Sequence, residues 1–489
     1  MKTRNLLLSL WRWGNDREQE IMRFRIFLTL VITGLSILGL QSAAAQNDDG
    51  YRALARNILS ELIEINTVPA TGDTLRAAEA VAARLLAAGF EESDVDVFSP
   101  APRKGNLIAR MRGTGVRDPI LLAAHLDVVE ALPEDWTVEP FTFLERDGYY
   151  YGRGTTDDKG LIAAWLVNLI RFKQEGYVPA RDIILVLETD EEIGDRDELG
   201  MRWLVNNHRD LLEAEFALNE GGTVRARGDQ LLSNSVQTSE KRYSAFRLDV
   251  RNPGGHSSIP ERDNAIYHLA GGLVRLAEYE FPLSLNDTTQ AWLERSAVFE
   301  TPDIAAAMQA VASGSPDATQ VERLSALPTY NAQLRTTCVA TMLNGGHAEN
   351  ALPQLATATV NCRILPGGTP EEVQAVLEDV LSDSAITVTA VQTDVDSPPS
   401  PLNEELFTVI EDLSQEFFPG VPVIPTMSTG ATDSRFLRNT GIPSYGHTGF
   451  LRDVDDVRAH GQDERIGVGA FHTGVEYLYQ LVKRLSSAP

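Results

Sequence analysis

The sequence predicts an α/β protein, a largely parallel-sheet domain interrupted by a smaller α+β sandwich. Three observations carry this reading. Between Asn106 and Leu218, short apolar runs alternate with helical patterns, as they do when helices connect parallel strands. From about Lys241 the texture changes to two-residue alternation, with helical segments between strand-like runs. At Ser397-Pro398-Pro399-Ser400-Pro401 a breaker-rich segment marks the return to the first texture. The implied boundaries are 1–45 for a leader, 46–240 and 395–489 for the two parts of the first domain, and 241–394 for the insert. A chain of 489 residues also exceeds one ordinary core, so two domains are expected.

Each element has its own local signal. Arg23 and Arg25 precede an apolar run, Ile26 to Leu40, followed by Ser42, Ala43, Ala44 and Ala45. That is the layout of a secretory leader, expected to be cleaved after Ala45 so that the mature chain starts at Gln46 and is exported, periplasmic or secreted. The alternative is an uncleaved anchor, but the run is short for a spanning helix. No cysteine follows the apolar run, which speaks against a lipid anchor, and Met22 is a candidate for the true start. Tyr51–Ile65 and Thr74–Ala88 carry apolar residues at helical spacing, and Gly89 closes the second. Strand-like runs come next at Asn106–Met111, Ile120–Ala124, Ile183–Leu187 and Phe216–Leu218, with helical Leu161–Gln174 among them. In the insert, Tyr243–Val250, Cys338–Leu343, Ala356–Ile364 and Ala385–Val391 read as strands, Asn264–Tyr279 and Pro370–Leu381 as helices. Pro282 to Tyr330 is a long stretch of mixed character.

Composition narrows the function classes. A formal net charge of −26 argues against nucleic acid and anionic membranes as partners, since a polyanionic surface is repelled by both. The only cysteines, Cys338 and Cys362, permit one cross-strand disulfide in an oxidising compartment; two separate buried thiols are the equal alternative. Neither has the spacing of a zinc site.

The chemistry lies in five segments. Leu121 to Asp127 runs a buried strand into His125, with Asp127 two residues on, so that an imidazole can bind metal while a carboxylate orients it. Alone, such a histidine is more often a satisfied core residue. Gly152 to Gly160 places Asp157 and Asp158 after a glycine turn and before a helix, where a helix cap beside solvated charge is the bland alternative. Glu188 to Glu192 puts four acids in five positions, which repel one another without a cation unless they are simply solvated. Glu220 follows another short strand, and His460 precedes the last helix. Each is background by itself. Together, two histidines and several carboxylates at strand ends make a nitrogen–oxygen ligand set suited to catalytic zinc, and five ligands with one bridging carboxylate serve two metals.

In these segments the chain resembles the two-zinc metallopeptidase family that includes aminoacylase, carnosinase, bacterial glutamate carboxypeptidase and succinyl-diaminopimelate desuccinylase. The resemblance runs from about residue 50 to the C-terminus. It implies two divalent ions, Zn2+ with Co2+ or Mn2+ as substitutes, and Asp157 as the bridging ligand. His125 and Glu220 would complete one site, Glu192 and His460 the other, with Glu191 the general base and Asp127 the partner of His125. Pro133-Glu134-Asp135-Trp136 and Asn361 to Gly367 resemble the branch around carboxypeptidase S and N-acyl-amino-acid hydrolases. In the insert, Gly254 to Ser258 resembles the motif of an oxyanion-stabilising histidine, here His256, which in dimeric relatives reaches the neighbour's site. Asn350, Arg363 and Gly430 match positions that hold the substrate. The implied activity is hydrolysis of an amide bond next to a free carboxylate, on a small peptide or an N-acyl amino acid, in a possible homodimer formed through the insert. A metal-binding protein without activity is the rival, disfavoured because every matching position holds a competent residue.

Overall fold

The computed structural model describes residues 49–194 and 198–488. The predicted leader lies outside them. The chain divides into two compact units, residues 1–57 and 58–489. In the first, residues 49–57 are helical. The second contains a larger and a smaller main sheet, two minor sheets of two and three strands, and the helices packed on them. Among the described residues no helix is long and apolar enough to cross a membrane.

The larger sheet is built from β1 (Val95–Ala101), β2 (Lys104–Met111), β3 (Ile120–His125), β4 (Ile183–Glu188), β5 (Phe216–Asn219), β6 (Val224–Arg227) and β7 (Gln230–Glu240). The smaller sheet takes β8 (Arg242–Arg251), β9 (Thr337–Gly345), β10 (Leu355–Ile364) and β11 (Ile386–Thr393). The chain then returns to the larger sheet with β12 (Val423–Ser428), β13 (Ser444–Gly446) and β14 (Leu451–Asp453). The larger sheet has the order β1-β2-β4-β3-β5-β13-β7-β6-β14, with β12 also on β7.

Its centre, β4-β3-β5-β13, is parallel, as the sequence predicts. Every residue of β3, β4 and β5 is buried, as befits strands covered on both faces. On the flanks β1, β2, β6 and β7 also make antiparallel pairings, while β12 on β7 and β14 on β6 are again parallel, so the sheet is mixed with a parallel centre. Tight turns explain this. Arg103 (φ 64°) and Gly228 (φ 55°) adopt left-handed backbone between consecutive strands, which leaves no room for a crossover helix. The helix Thr74–Ala87 starts where the Asp73 side chain accepts from Arg76 N and buries Ala77, Ala78, Val81, Ala82 and Leu85 at helical spacing.

The smaller sheet, β9-β10-β8-β11, is antiparallel throughout. One face, including Phe246, Leu248, Val250, Val360 and Ile364, packs on the helices Ala265–Glu278 and Pro370–Leu381. Cys338 and Cys362 stand directly opposite each other on β9 and β10 and are disulfide-bonded, which resolves the alternative left by the sequence. The mixed stretch is helical: Asp287–Ser296, Pro302–Ala312, Ala318–Ser325 and Pro328–Leu334 share a core of Leu293, Met308, Val311, Leu324 and Leu334. Although flanked in sequence by the smaller sheet, these helices pack on the larger one. Helix Asp287–Ser296 lies on β12, Thr288 and Thr238 share a hydroxyl bond of 2.7 Å, and Arg295 Nη1 donates to the Val423 carbonyl.

The chain therefore passes between the sheets four times, near Lys241, Phe281, Arg335 and Ser397. Buried polar groups tie three of these passages together. Lys241 Nζ donates to the Arg335 carbonyl at 2.7 Å, Arg242 Nε to the Asp394 carbonyl at 2.6 Å, and Ser397 Oγ to Glu240 Oε1 at 2.7 Å.

Candidate metal centre

The carboxyl ends of the parallel strands supply the first side chains. His125 ends β3, Glu188 ends β4 beside it in register, and Glu220 follows β5. Ligands gather at this edge in parallel α/β sheets, because buried backbone is satisfied within the sheet while terminal side chains stay free. Asp157 comes from the turn before helix Lys159–Gln174, and His460 from the loop before Arg465–Gly467. Gly154 is required in that turn: its φ is 95°, and a Cβ there would lie 2.9 Å from the Lys159 side chain.

Asp157 stands between two groups. Its Oδ1 is 3.0 Å from His125 Nε2, and its Oδ2 is 3.0 Å from His460 Nε2. Glu192 Oε2 is also 3.0 Å from His460 Nε2. Ligand atoms of His125, Asp157 and Glu220 lie within 4.8 Å of one another, and those of Asp157, Glu192 and His460 likewise. The five residues singled out in the sequence thus form two triads that share Asp157, each facing one of its oxygens.

The local folding explains the placement of Glu191 and Glu192. They open a 3-10 turn after Asp190, which takes a left-handed conformation (φ 67°) and is held by Lys104 Nζ at 2.5 Å. The Asp127 carboxylate accepts from Glu191 N at 3.2 Å and Glu192 N at 3.1 Å. Asp127 meets His125 mainly through its backbone, the Nδ1 lying 3.0 Å from the carbonyl and 3.7 Å from the carboxylate. Asp127 therefore touches the histidine and the paired glutamates at once.

Electrostatics at the centre follow from burial and crowding. Burial, with the charges of Asp157 and Glu192, pushes the Glu220 carboxyl up to about 8 against the pull of His125. Burial and the Glu220 charge hold Glu191 well above the usual carboxylate range, and burial lifts Asp127 to about 7. Burial would raise Asp157 too, but hydrogen bonds from His125 and His460 outweigh it and hold the group far below its ordinary value. Hydrogen bonds that His460 donates to the Asp157 and Glu192 carboxylates lift its pKa to about 10. Glu192 Oε1 is buried with no hydrogen-bond partner. An excess of carboxylates, two imidazoles, no sulfur and an orphaned buried oxygen suit divalent cations.

The model of peptidase family M20/M25/M40 matches residues 121–484. The chain belongs to that family. This M20 protein is accordingly a hydrolase of the metallopeptidase class. It is 33% identical over 373 residues to the N-fatty-acyl-amino acid synthase/hydrolase PM20D1 of Xenopus tropicalis, covering 75% of this chain and 72% of that one. It is 30% identical over 379 residues to the probable carboxypeptidase S-like 2 of Dictyostelium discoideum, covering 75% and 71%. Among solved structures, the M20 metallo-carboxypeptidase Sso-CP2 of Sulfolobus solfataricus shares the fold with TM-score 0.66 at 18% identity, over 87% of this chain and 97% of that one. Human carnosine dipeptidase 1 does so with TM-score 0.62 at 16% identity, over 90% and 98%.

The remaining candidates of the M20 chain are not members of the two triads. His256 is exposed on the short strand Gly255–His256, its Nδ1 2.7 Å from Ser258 Oγ, and Ser257 N donates to the Asn350 carbonyl. His256 pairs with Ala351 across two short antiparallel strands, which puts it beside Asn350, and no hydrogen bond or ion pair among the described residues joins them to the triads. Arg363 lies on β10 over the Tyr243 ring, 5.0 Å from its centre. Gly430 sits in the loop after β12, its N donating to Ser428 Oγ.

Three residues at the site have no role in the sequence reading. Glu188 and Asp433 are buried carboxyls that face each other; burial and then Asp433 raise the first, and burial raises the second against the pull of Arg435. Arg435, buried, has Nη2 3.2 Å from Asp433 Oδ1 and is held charged against burial by Asp433 and Glu191. The signal was faint: Glu188 opens the acidic run, and Asp433 closes the string containing Gly430.

Proposed function

We propose that the protein hydrolyses an amide bond adjacent to a free carboxylate, with two divalent ions held by His125, Asp157, Glu192, Glu220 and His460. The observation that carries this is Asp157, one oxygen toward each triad. The nitrogen and oxygen ligands favour zinc, which when bound acidifies water and polarises the scissile carbonyl.

The residues divide the remaining work. Glu191, half-buried and with a raised proton affinity, takes a proton from the attacking water and returns it to the leaving nitrogen. Asp127 fixes both the His125 ring and the amides of the glutamate pair. Arg363 and the Gly430 loop receive the free carboxylate of the substrate. His256 donates to the developing oxyanion.

N-acyl amino acids are the favoured substrates, supported by the Xenopus relative; dipeptides are the second reading, supported by the carboxypeptidase S-like one. Comparing N-acyl amino acids, free dipeptides and C-terminally amidated dipeptides tests both. Amidation is expected to abolish turnover, and an amidated peptide cleaved as fast as the free acid refutes the carboxylate requirement.

The smaller sheet with its helices Ala265–Glu278 and Pro370–Leu381, and not the helices from Asp287 to Leu334 that pack on the larger sheet, serves as a lid over the metal centre. His256 would act on the site of a second copy, paired along the edge strand β9, where Val339, Met342 and Leu343 are exposed. A fully active monomer in light scattering refutes this. Export with cleavage after Ala45 is supported by the leader pattern and by the disulfide, which belongs in an oxidising compartment. A mature N-terminus elsewhere than Gln46 refutes that cleavage site.

A further inference from the structure

We propose that Glu464 is the positioning residue that sets the shared ligand, joining the Asp157 turn and the His460 loop into one rigid unit. The proposal rests on the reading of Asp157 as the ligand common to both ions.

The Glu464 side chain is fully buried, and both of its oxygens are taken by the turn that carries Asp157. Oε1 accepts from Thr156 N at 2.7 Å, Thr156 Oγ1 at 2.8 Å and Asp157 N at 3.2 Å. Oε2 accepts from Arg153 Nη1 at 2.7 Å and Gly154 N at 3.0 Å. The backbone carbonyl of Glu464 accepts from Gly152 N as well. A partner for one arginine needs a single contact; this carboxylate grips the turn from Gly152 to Asp157.

The other end of the strut is His460, four residues earlier. His460 (φ 61°) and Asp463 (φ 50°) hold left-handed backbone, which is strained for a non-glycine residue and persists only where its surroundings enforce it. Three anchors enforce it here. Arg153 Nη2 donates to the Gly461 carbonyl at 3.0 Å, Asp463 accepts from Thr137 N and Oγ1 at 2.8 Å each, and Glu464 is locked onto the Asp157 turn. Arg153 itself lies over the Trp136 ring, 4.9 Å from its centre. The two loops, about 300 residues apart in sequence, are thus fastened through one carboxylate.

The geometry makes a selective prediction. Asp157 belongs to both triads and His460 to one. Disturbing Glu464 should therefore weaken both ions, whereas removing the His460 imidazole should weaken one. Groups that orient a metal ligand are worth about 10–100-fold in affinity. In Glu464→Gln the amide NH2 confronts backbone donors on one side, so the turn must shift.

The test is calorimetric titration of the metal-free full chain with Zn2+, together with the visible spectrum of the Co2+-loaded protein. Wild type should bind two ions. Glu464→Gln should bind both about 10–100-fold more weakly and show an altered Co2+ spectrum. Leu478→Ala, a cavity in the buried face of the last helix, controls for lost stability and should change neither readout. Should Glu464→Gln not fold, Thr156→Val removes one bond to Oε1 and must weaken both ions in the same sense. Two-ion binding and a Co2+ spectrum matching wild type, in a folded Glu464→Gln or in Thr156→Val, overturn the proposal. A wild-type protein that binds no divalent ion overturns instead the reading of the triads as a metal centre.

Discussion

Acid stability offers a measurement whose size follows from one buried ring. His447 is fully buried just after β13, its Nδ1 2.9 Å from the Ser235 carbonyl and its Nε2 2.9 Å from the Tyr477 hydroxyl. Burial lowers its pKa to about 4, so the folded protein keeps the ring neutral. In the unfolded chain the same ring titrates near its ordinary value of about 6.5. Between these values the unfolded state carries the extra proton, so stability falls as pH drops from 6.5 toward 4. The full loss is on the order of 3 kcal/mol, and about 2 kcal/mol of it is present by about pH 5. Denaturant unfolding of wild type and His447→Gln, between about pH 7.5 and pH 5, isolates the contribution. The variant starts less stable, since it leaves a hydrogen bond unmade, but its stability should fall less steeply with acid. Equal slopes for the two proteins would show that His447 is not held neutral by the fold, and the reasoning would fail.

Other perturbations have equally definite outcomes. Glu191→Gln is expected to lose at least about 100-fold in turnover while retaining both metals, checked by steady-state kinetics and elemental analysis; an active, metal-loaded variant removes Glu191 as the base. Asp157→Asn should lower the affinity for both ions and His460→Ala for one, read as stoichiometry after dialysis; unchanged occupancy in Asp157→Asn would place the shared ligand elsewhere. The Cys338–Cys362 bond spans a sequence separation of 24, so the paired serine variant is expected to lose about 3–4 kcal/mol in denaturant unfolding. An unaltered midpoint would show that the bond contributes nothing to the native state.

Much of the centre was legible because its residues mark where regular patterns stop. His125 and Glu220 each follow an apolar run, and although either alone is background, two such groups at the same edge of one parallel sheet point to a shared site. Asp157 and His460 were legible only in company, since a turn aspartate and a loop histidine are common. Contacts between distant segments were not legible. No pattern in the chain says that the Asp127 carboxylate binds the amides of Glu191 and Glu192, or that Glu464 grips a turn more than 300 residues before it. The antiparallel flanks escaped for a different reason, because a strand's apolar pattern reports its burial and not its direction. The helices from Asp287 to Leu334 are short and cap themselves with side chains such as Asn286 and Asp317, so their periodicity barely develops before it breaks. The disulfide depended on strand register, which places Cys338 opposite Cys362.

The four passages of chain between the two sheets bear on how the smaller one can move. A module joined by two separate tethers can swing about the line between them. Here the links near Lys241, Arg335 and Ser397 are bolted together by buried bonds, from Lys241 to Arg335, Arg242 to Asp394 and Ser397 to Glu240. Arg335 is also paired with Glu280 beside the crossing near Phe281, so a displacement of the smaller sheet would be a pivot about these joined links and not a hinge along its edge.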